Sequence, residues 1–305
     1  MSSTQRKVSL FIAFFSLWRV ILIAQGSPAA APTIPQEPTL DAKEIVRRGL
    51  EADQHNFDLA RNYTLERRQD LKLLDKNGKA KKHEINTYEV MILYDEPYSR
   101  RIRKDDKPLS DKDEKKEADK LEKFASERKN ETPSEHAKRL AKFDKERQQE
   151  RAFAGDILNA YEFKLVGDDH VDGHDVYVVD LTPRKDFHPT QPHADILSKI
   201  RGKVWIDRND YGWVKLDAET LDTISWGLFI LRIRKGTQME FKQVRVNEEI
   251  WLPSQFLLNG SARFALVAGG NFDLDMTFSN YKKFVSGARI LPGAAEVQPS
   301  ASPQP

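Results

Sequence analysis

Phe272, Leu274, Met276 and Phe278 alternate with Asp273, Asp275 and Thr277, so a chain extended through them has one apolar and one wet face. Val204 with Ile206, and Val214 with Leu216 and Ala218, repeat the period of two. A helix would scatter these side chains around its circumference, so this part of the chain folds as strands that bury one side. Further strand-like runs fall at 161–166, 176–181, 202–207, 213–220, 226–234, 238–246, 255–258, 262–267 and 271–280. Turn-forming pairs separate them, including Asp172-Gly173, Asn209-Asp210, Lys235-Gly236, Asn247-Glu248, Asn259-Gly260 and Gly269-Gly270. Strands that meander in order predict one large, strongly curved antiparallel sheet or barrel with a concave apolar face.

The preceding third of the chain supplies helices to cover that face. Asp41 and Glu44 are spaced as a capping pair, and Leu40, Ile45, Leu50 and Phe57 form a one-sided stripe, which predicts a helix over 40–56. Strands are expected at 62–74, 84–94 and 99–104, the first two joined by a tight turn at Asn77-Gly78. Residues 103–151 then carry 16 Lys or Arg and 14 Asp or Glu. Charges so evenly mixed predict solvated helices rather than a nucleic-acid arm. Thr132, Pro133 and Glu135 provide an N-cap, an N1 proline and an N3 acid, so the block is two helices broken near Asn130. It reads as a helical insertion at about 105–152, either simply exposed or serving as a lid or partner-binding element.

Arg6 and Lys7 precede an apolar run from Val8 to Ala24, and small residues follow it. This order predicts an export signal over 1–26, cleaved after Gly26. A retained signal-anchor helix is the alternative, opposed by Arg19, since a mid-span arginine costs on the order of 2.5–3.5 kcal/mol in lipid. Residues 27–39, rich in Pro and Ala, read as a disordered linker, and 291–305 as a disordered tail. Losing the signal removes three cations and takes the formal charge from +2 to −1. No broad basic field remains, which argues against nucleic acid as a partner. The chain has no cysteine, so an exported domain of this kind holds together by its core alone.

Catalytic patterns are missing: the sequence has no G-x-S-x-G elbow, no phosphate-binding loop and no G-x-G-x-x-G. His83-Glu84 begins a zinc-helix pattern, but Thr87 stands where the second histidine belongs. Asp168, Asp169, His170, Asp172, His174 and Asp175 are the one dense group of metal-ligand types. Asp172-Gly173 lies midway between two strand-like runs, where a hairpin needs its turn, and that reading competes with a metal site. Trp205, Trp213, Trp226 and Trp251 belong to a core or rim more readily than to a glycan platform.

Four ordered segments resemble a known family: VDGHDVYVVDLTPR at 171–184, RGKVWIDRNDYGWVKLDAE at 201–219, VNEEIWLPSQF at 246–256 and FSNYKKF at 278–284. In this order they look like the periplasmic outer-membrane lipoprotein-sorting proteins of the LolA/LolB-like fold. The charged insertion departs from the family pattern. The resemblance implies an α+β fold, an incomplete antiparallel β-barrel of about eleven strands spanning 40–290, with helices capping an apolar cavity. It also implies a monomeric periplasmic carrier of lipid or lipoprotein acyl chains that uses no cofactor and performs no catalysis. The cavity wall expected from the alternating strands is Val204, Ile206, Val214, Leu216, Phe272, Leu274, Met276 and Phe278. The alternative is an envelope-sensing module that docks a protein through residues 105–152.

Overall fold

The computed structural model describes residues 41–94, 96–226, 231–264 and 269–284. The expected export signal, linker and tail lie outside the described residues, as do 227–230 and 265–267 of two expected strands. The first helix, α1 (Ala42–Ala60), starts where the sequence indicates: the Asp41 carboxylate accepts a hydrogen bond from the Lys43 N–H at 3.3 Å. Arg47 and Arg48 bond Glu44 one turn away and hold its carboxyl down to about 2. The opposite side of α1 buries Ala42, Ile45, Val46 and Leu50.

The strands β1 (Tyr63–Leu74), β2 (Ala80–Leu93), β3 (Glu96–Lys104) and β4 (Lys107–Pro108) follow as a meander. The chain then forms α2 (Asp111–Lys129) and α3 (Pro133–Ala160). The break falls at Asn130, and α3 opens with the expected capping box: the Glu135 N–H donates to Thr132 Oγ1 at 3.3 Å, and the Thr132 N–H donates to the Glu135 carboxylate at 2.9 Å. Helix α3 runs past the charged block, and its last turns bury Phe153, Ala154, Ile157 and Ala160 in the main core.

From Tyr161 onward the chain is almost all strand: β5 (Tyr161–Val171), β6 (His174–Pro183), a 3-10 turn (Ala194–Lys199), β7 (Ile200–Asp207) and β8 (Trp213–Thr220). Then come β9 (Ile224–Trp226), β10 (Leu231–Ile233), β11 (Gln238–Val246), β12 (Ile250–Phe264) and β13 (Gly270–Lys283). All thirteen belong to one antiparallel sheet in the order β4-β3-β2-β1-β13-β12-β11-β8-β7-β6-β5, with β10 beside β12 and β9 beside β10. The β4/β3 and β5 ends do not pair with each other, so the α+β fold is an incomplete curved barrel. Helix α1 lies over β5, β6, β7 and β12, α3 packs on α1 and the 3-10 turn, and α2 lies against β3.

Candidate functional site

The register places one line of side chains across the concave face. Met276, Phe256, Phe241, Leu216, Val204 and Val179 stand opposite one another from β13 through β12, β11, β8 and β7 to β6. Beside it, Leu274, Leu258 and Met239 form the start of a second line. These residues belong to a single apolar cluster that includes the buried faces of α1 and α3. Each fully buried Val, Ile or Phe contributes about 1.5–3 kcal/mol relative to exposure, so the face and its helical cover hold the fold together.

Seven of the eight expected wall residues join this cluster: Val204, Ile206, Phe272, Leu274 and Met276 are buried in it, and Leu216 and Phe278 pack against it half-buried. Val214 does not, which corrects the alternation read from Val214, Leu216 and Ala218. The pairing of Trp205 with Lys215 and of Ile206 with Trp213 leaves Val214 as the extra residue of a bulge. Trp213 therefore faces the main core, and Val214 joins Val176, Val178, Trp205 and Trp251 in a second cluster on the other side of the sheet. The wall residues not singled out from sequence, Val179, Met239, Phe241, Phe256 and Leu258, carried the same period-two signal; Phe153 and Ile157 were masked by the charged block before them.

The closing helix approaches the sheet closely. A Cβ on Gly49 would lie 2.7 Å from the Trp213 Nε1 and 3.2 Å from the Ile206 Cδ1, so only glycine lets α1 settle there. Four residues on, along the buried stripe of Ile45, Val46, Gly49 and Leu50, stands Asp53. Among the described residues its carboxyl has no hydrogen-bond or ion-pair partner, and burial pushes it up to about 7. The side chain retains some exposed surface.

A second charged group sits where the apolar face meets β1. Arg67 stands in register between Phe278 of β13 and Tyr88 of β2, with its guanidinium carbon 5.1 Å from the centre of the Tyr88 ring. Its Nε is enclosed without a hydrogen-bond partner, and burial pulls its pKa below the usual arginine value.

Two voids bear on where a ligand would lie. One of about 10 Å³ is bordered by Ile200, Ile233, Met239 and Leu258 on the concave side. It has room for about one water, so this void among the described residues takes an acyl chain only if α1 or its neighbours part from the sheet. The other, an open groove of about 610 Å³, runs over β6, β7, β8 and β11. Its rim is laced by Arg201–Glu219 at 2.7 Å, Lys203–Asp180 at 3.5 Å and Lys215–Glu240 at 3.4 Å. These charges pair with one another, and Leu181, Ala218, Met239 and Leu257 line the groove among them.

The Asp and His residues at 168–175 form the hairpin turn. Asp172 and Gly173 both take positive φ, 50° and 89°, as a two-residue turn between β5 and β6 demands. His170 bonds Asp175 at 2.9 Å and His174 bonds Asp207 at 3.0 Å. Among the described residues no three His, Asp or Glu side chains converge as a metal-ligand set.

No family model and no curated protein matches the sequence. Among solved structures, the chain is similar to a DUF1329 family protein from Desulfovibrio piger, at 14% identity over 81% of this chain and 95% of that one, with a TM-score of 0.29. It is also similar to a putative outer membrane lipoprotein-sorting protein domain from Vibrio parahaemolyticus, at 10% identity over 80% and 95%, with a TM-score of 0.33. A LolA superfamily protein from Nitrosomonas europaea is similar at 12% identity over 82% and 94%, with a TM-score of 0.29. The last two bear the names of the family that the four ordered segments resemble, and the reading of function below rests on the geometry of this chain.

Proposed function

We propose that the protein is an exported, periplasmic, non-catalytic carrier or binder that takes acyl chains of lipids or lipoproteins onto the concave face of its sheet. The observation that carries the reading is the cover of that face. An apolar surface running from β6 to β13 is closed by a helix whose own buried stripe continues to a carboxyl, Asp53, that has no partner among the described residues. A helix packed for stability alone gains by an apolar residue there; a cover that must part from the face tolerates the loss. Burying an acyl chain contributes about 0.8 kcal/mol per CH₂, so about fifteen methylenes supply on the order of 12 kcal/mol gross toward displacing the cover. The basic, apolar and small-residue order of 1–26 supports export.

Purified mature protein is to be extracted and its bound lipid identified by mass spectrometry, then delipidated and titrated with a fluorescent fatty-acyl probe. Retained or recovered lipid and saturable uptake support the carrier. Absence of both removes it.

A second reading assigns residues 105–152 to partner docking. It is favoured by the way these helices are held. Phe124 of α2 packs on Tyr94 and Tyr98, and Arg128 and Arg139 reach Glu96 at 3.0 and 3.4 Å, so a charged surface is presented in a fixed orientation. Shortening the insertion while keeping 153–160 then abolishes capture of an envelope partner and spares lipid uptake; loss of uptake alone makes it a lid.

A further inference from the structure

Arg67 is a cation without a counter-ion at the end of an apolar face. Among the described residues its side chain makes no hydrogen bond or ion pair, and its one close partner is the face of Tyr88. A guanidinium stays charged at every physiological pH, and stacking on a phenol offsets only part of its desolvation.

The carboxylates nearby are committed elsewhere. Arg101, opposite Tyr88 on β3, reaches Glu117 and Asp113 of α2 only at 3.8 and 3.9 Å. Glu117 is held more closely by Lys120 at 2.6 Å, and Asp113 by Lys116 at 3.4 Å. Glu84, further along β2, is taken by Lys82 at 2.7 Å. Arg67, Arg101, Lys116 and Lys120 thus stand against Asp113 and Glu117, leaving an excess of two positive charges. The Nε of Arg101 is also enclosed and unpartnered.

On the other side of Arg67 the surface turns apolar at once. Phe278 is its neighbour on β13, and Met276 and Leu274 continue the same face one and two steps along. A cation at the head of an apolar track matches a molecule with an anionic head and a hydrocarbon tail.

We propose that Arg67 binds the acidic head group, carboxylate or phosphate, of a single-chain amphiphile whose tail lies along Phe278, Met276 and Leu274. The inference rests on the acyl-carrier reading and adds to it a chemical class of ligand. It makes Arg67 a selectivity residue: the tail provides most of the affinity, and the guanidinium distinguishes an acid from its neutral counterpart by a charge-assisted bond in a desolvated place.

The test compares oleate, oleoyl-lysophosphatidate and oleyl alcohol, each below its aggregation limit, by calorimetric titration of the mature protein and of its Arg67→Gln and Arg67→Lys variants. The wild type is expected to favour at least one acid over the alcohol by about tenfold or more. Arg67→Gln loses that preference while its affinity for the alcohol stays within about twofold, and Arg67→Lys retains part of it. Melting temperatures separate this from a packing role: removing an uncompensated charge leaves Tm unchanged or raised, whereas an arginine needed for packing on Tyr88 lowers it when lost. Preference for oleate identifies a fatty acid as the source of the head group, and preference for lysophosphatidate a phospholipid. Equal binding of acid and alcohol by the wild type, or equal loss of both in Arg67→Gln, overturns the head-group assignment and leaves the carrier standing. Binding of none of the three overturns the carrier reading and this inference with it.

Discussion

Asp53→Asn tests the nature of the helical cover directly. The carboxyl titrates near 7 in the folded protein against an ordinary value of 3.8. A raised carboxyl pKa means that the folded state holds a proton the unfolded chain has already released. Stability is therefore full below about pH 4, falls as pH rises through the window from 3.8 to 7, and is level above it. A shift of this size has a ceiling of about 4 kcal/mol at 1.36 kcal/mol per pH step. Asp53 keeps part of its surface in water, which screens the effect and brings the expected figure to about 2 kcal/mol. Asparagine preserves the shape and removes the charge. The variant should match the wild type at pH 4 and exceed it by about 2 kcal/mol at pH 8, or roughly 4–8 °C in Tm for a domain of this size. Paired thermal melts from pH 4 to pH 9 read the difference, in which the titrations common to both proteins cancel. A difference that does not change with pH, or a variant less stable at pH 8, would show that Asp53 has a partner and refute the argument for a loosely held cover. The same substitution should slow uptake of an acyl probe at pH 8, because it removes the penalty that favours lifting α1.

Two further perturbations probe what fixes the cover and the hairpin. Asp156 of α3 is 1% exposed and accepts hydrogen bonds from the Thr190 N–H at 2.9 Å, the Thr190 hydroxyl at 2.8 Å and the Gln191 N–H at 2.9 Å. Asp156→Ala strands those donors, and urea melts should record a loss of about 2–3 kcal/mol; near wild-type stability would mean that the loop simply moves away. Gly173→Ala forces a side chain into φ 89° at the β5–β6 turn and should cost about 1 kcal/mol, read in the same melts, while leaving acyl binding intact.

The architecture was legible because alternation is a local property. Phe272 to Phe278 had to lie on one face of any strand, and the register then placed Phe272, Leu274 and Met276 in the core with Phe278 packed on it. Alternation fails where a strand pairs irregularly. Val214 turns to the opposite side because β7 and β8 slip by one residue beside it, and no residue type in 213–216 announces that slip. Strand β2 starts at Ala80 rather than 84 because Lys82 pairs with Leu73 across the hairpin, a consequence of the partner strand and not of its own polar residues. The charged block concealed a boundary in the same way. Its composition predicts solvation throughout, yet the turn carrying Phe153, Ala154 and Ile157 follows at once and belongs to the core. Asp53 was hidden because it reads as an ordinary polar position in a helix, and Arg67 could be noted only as one of two strand arginines, with Arg100, that the family resemblance brings into question. Only the packing around them shows that each is largely desolvated and lacks a counter-charge among the described residues.

The open sheet also explains what the insertion does for the fold whether or not it docks a partner. The main run of this sheet has two ends, and a free edge invites pairing with a second chain. At one end, β3 carries Arg100, Arg101 and Arg103, and α2 lies against it. The junction between α2 and α3 is pinned there as well: Arg139 binds Glu131 at 2.8 Å and Glu96 at 3.4 Å, and holds the Glu131 carboxyl down to about 2. At the other end, β5 is interrupted by a bulge between Leu165 and Gly167 and bears Asp168, Asp169 and His170 on its outer stretch. Both edges are thus obstructed by charge, a helix or a bulge, and the chain should sediment as a monomer at micromolar concentration. Shortening 110–131 exposes the β3 edge, so a variant that becomes dimeric or aggregates, while the parent stays monomeric, would show that the charged helices guard the edge. A variant that remains monomeric would leave partner docking or lid action as the reason for the insertion.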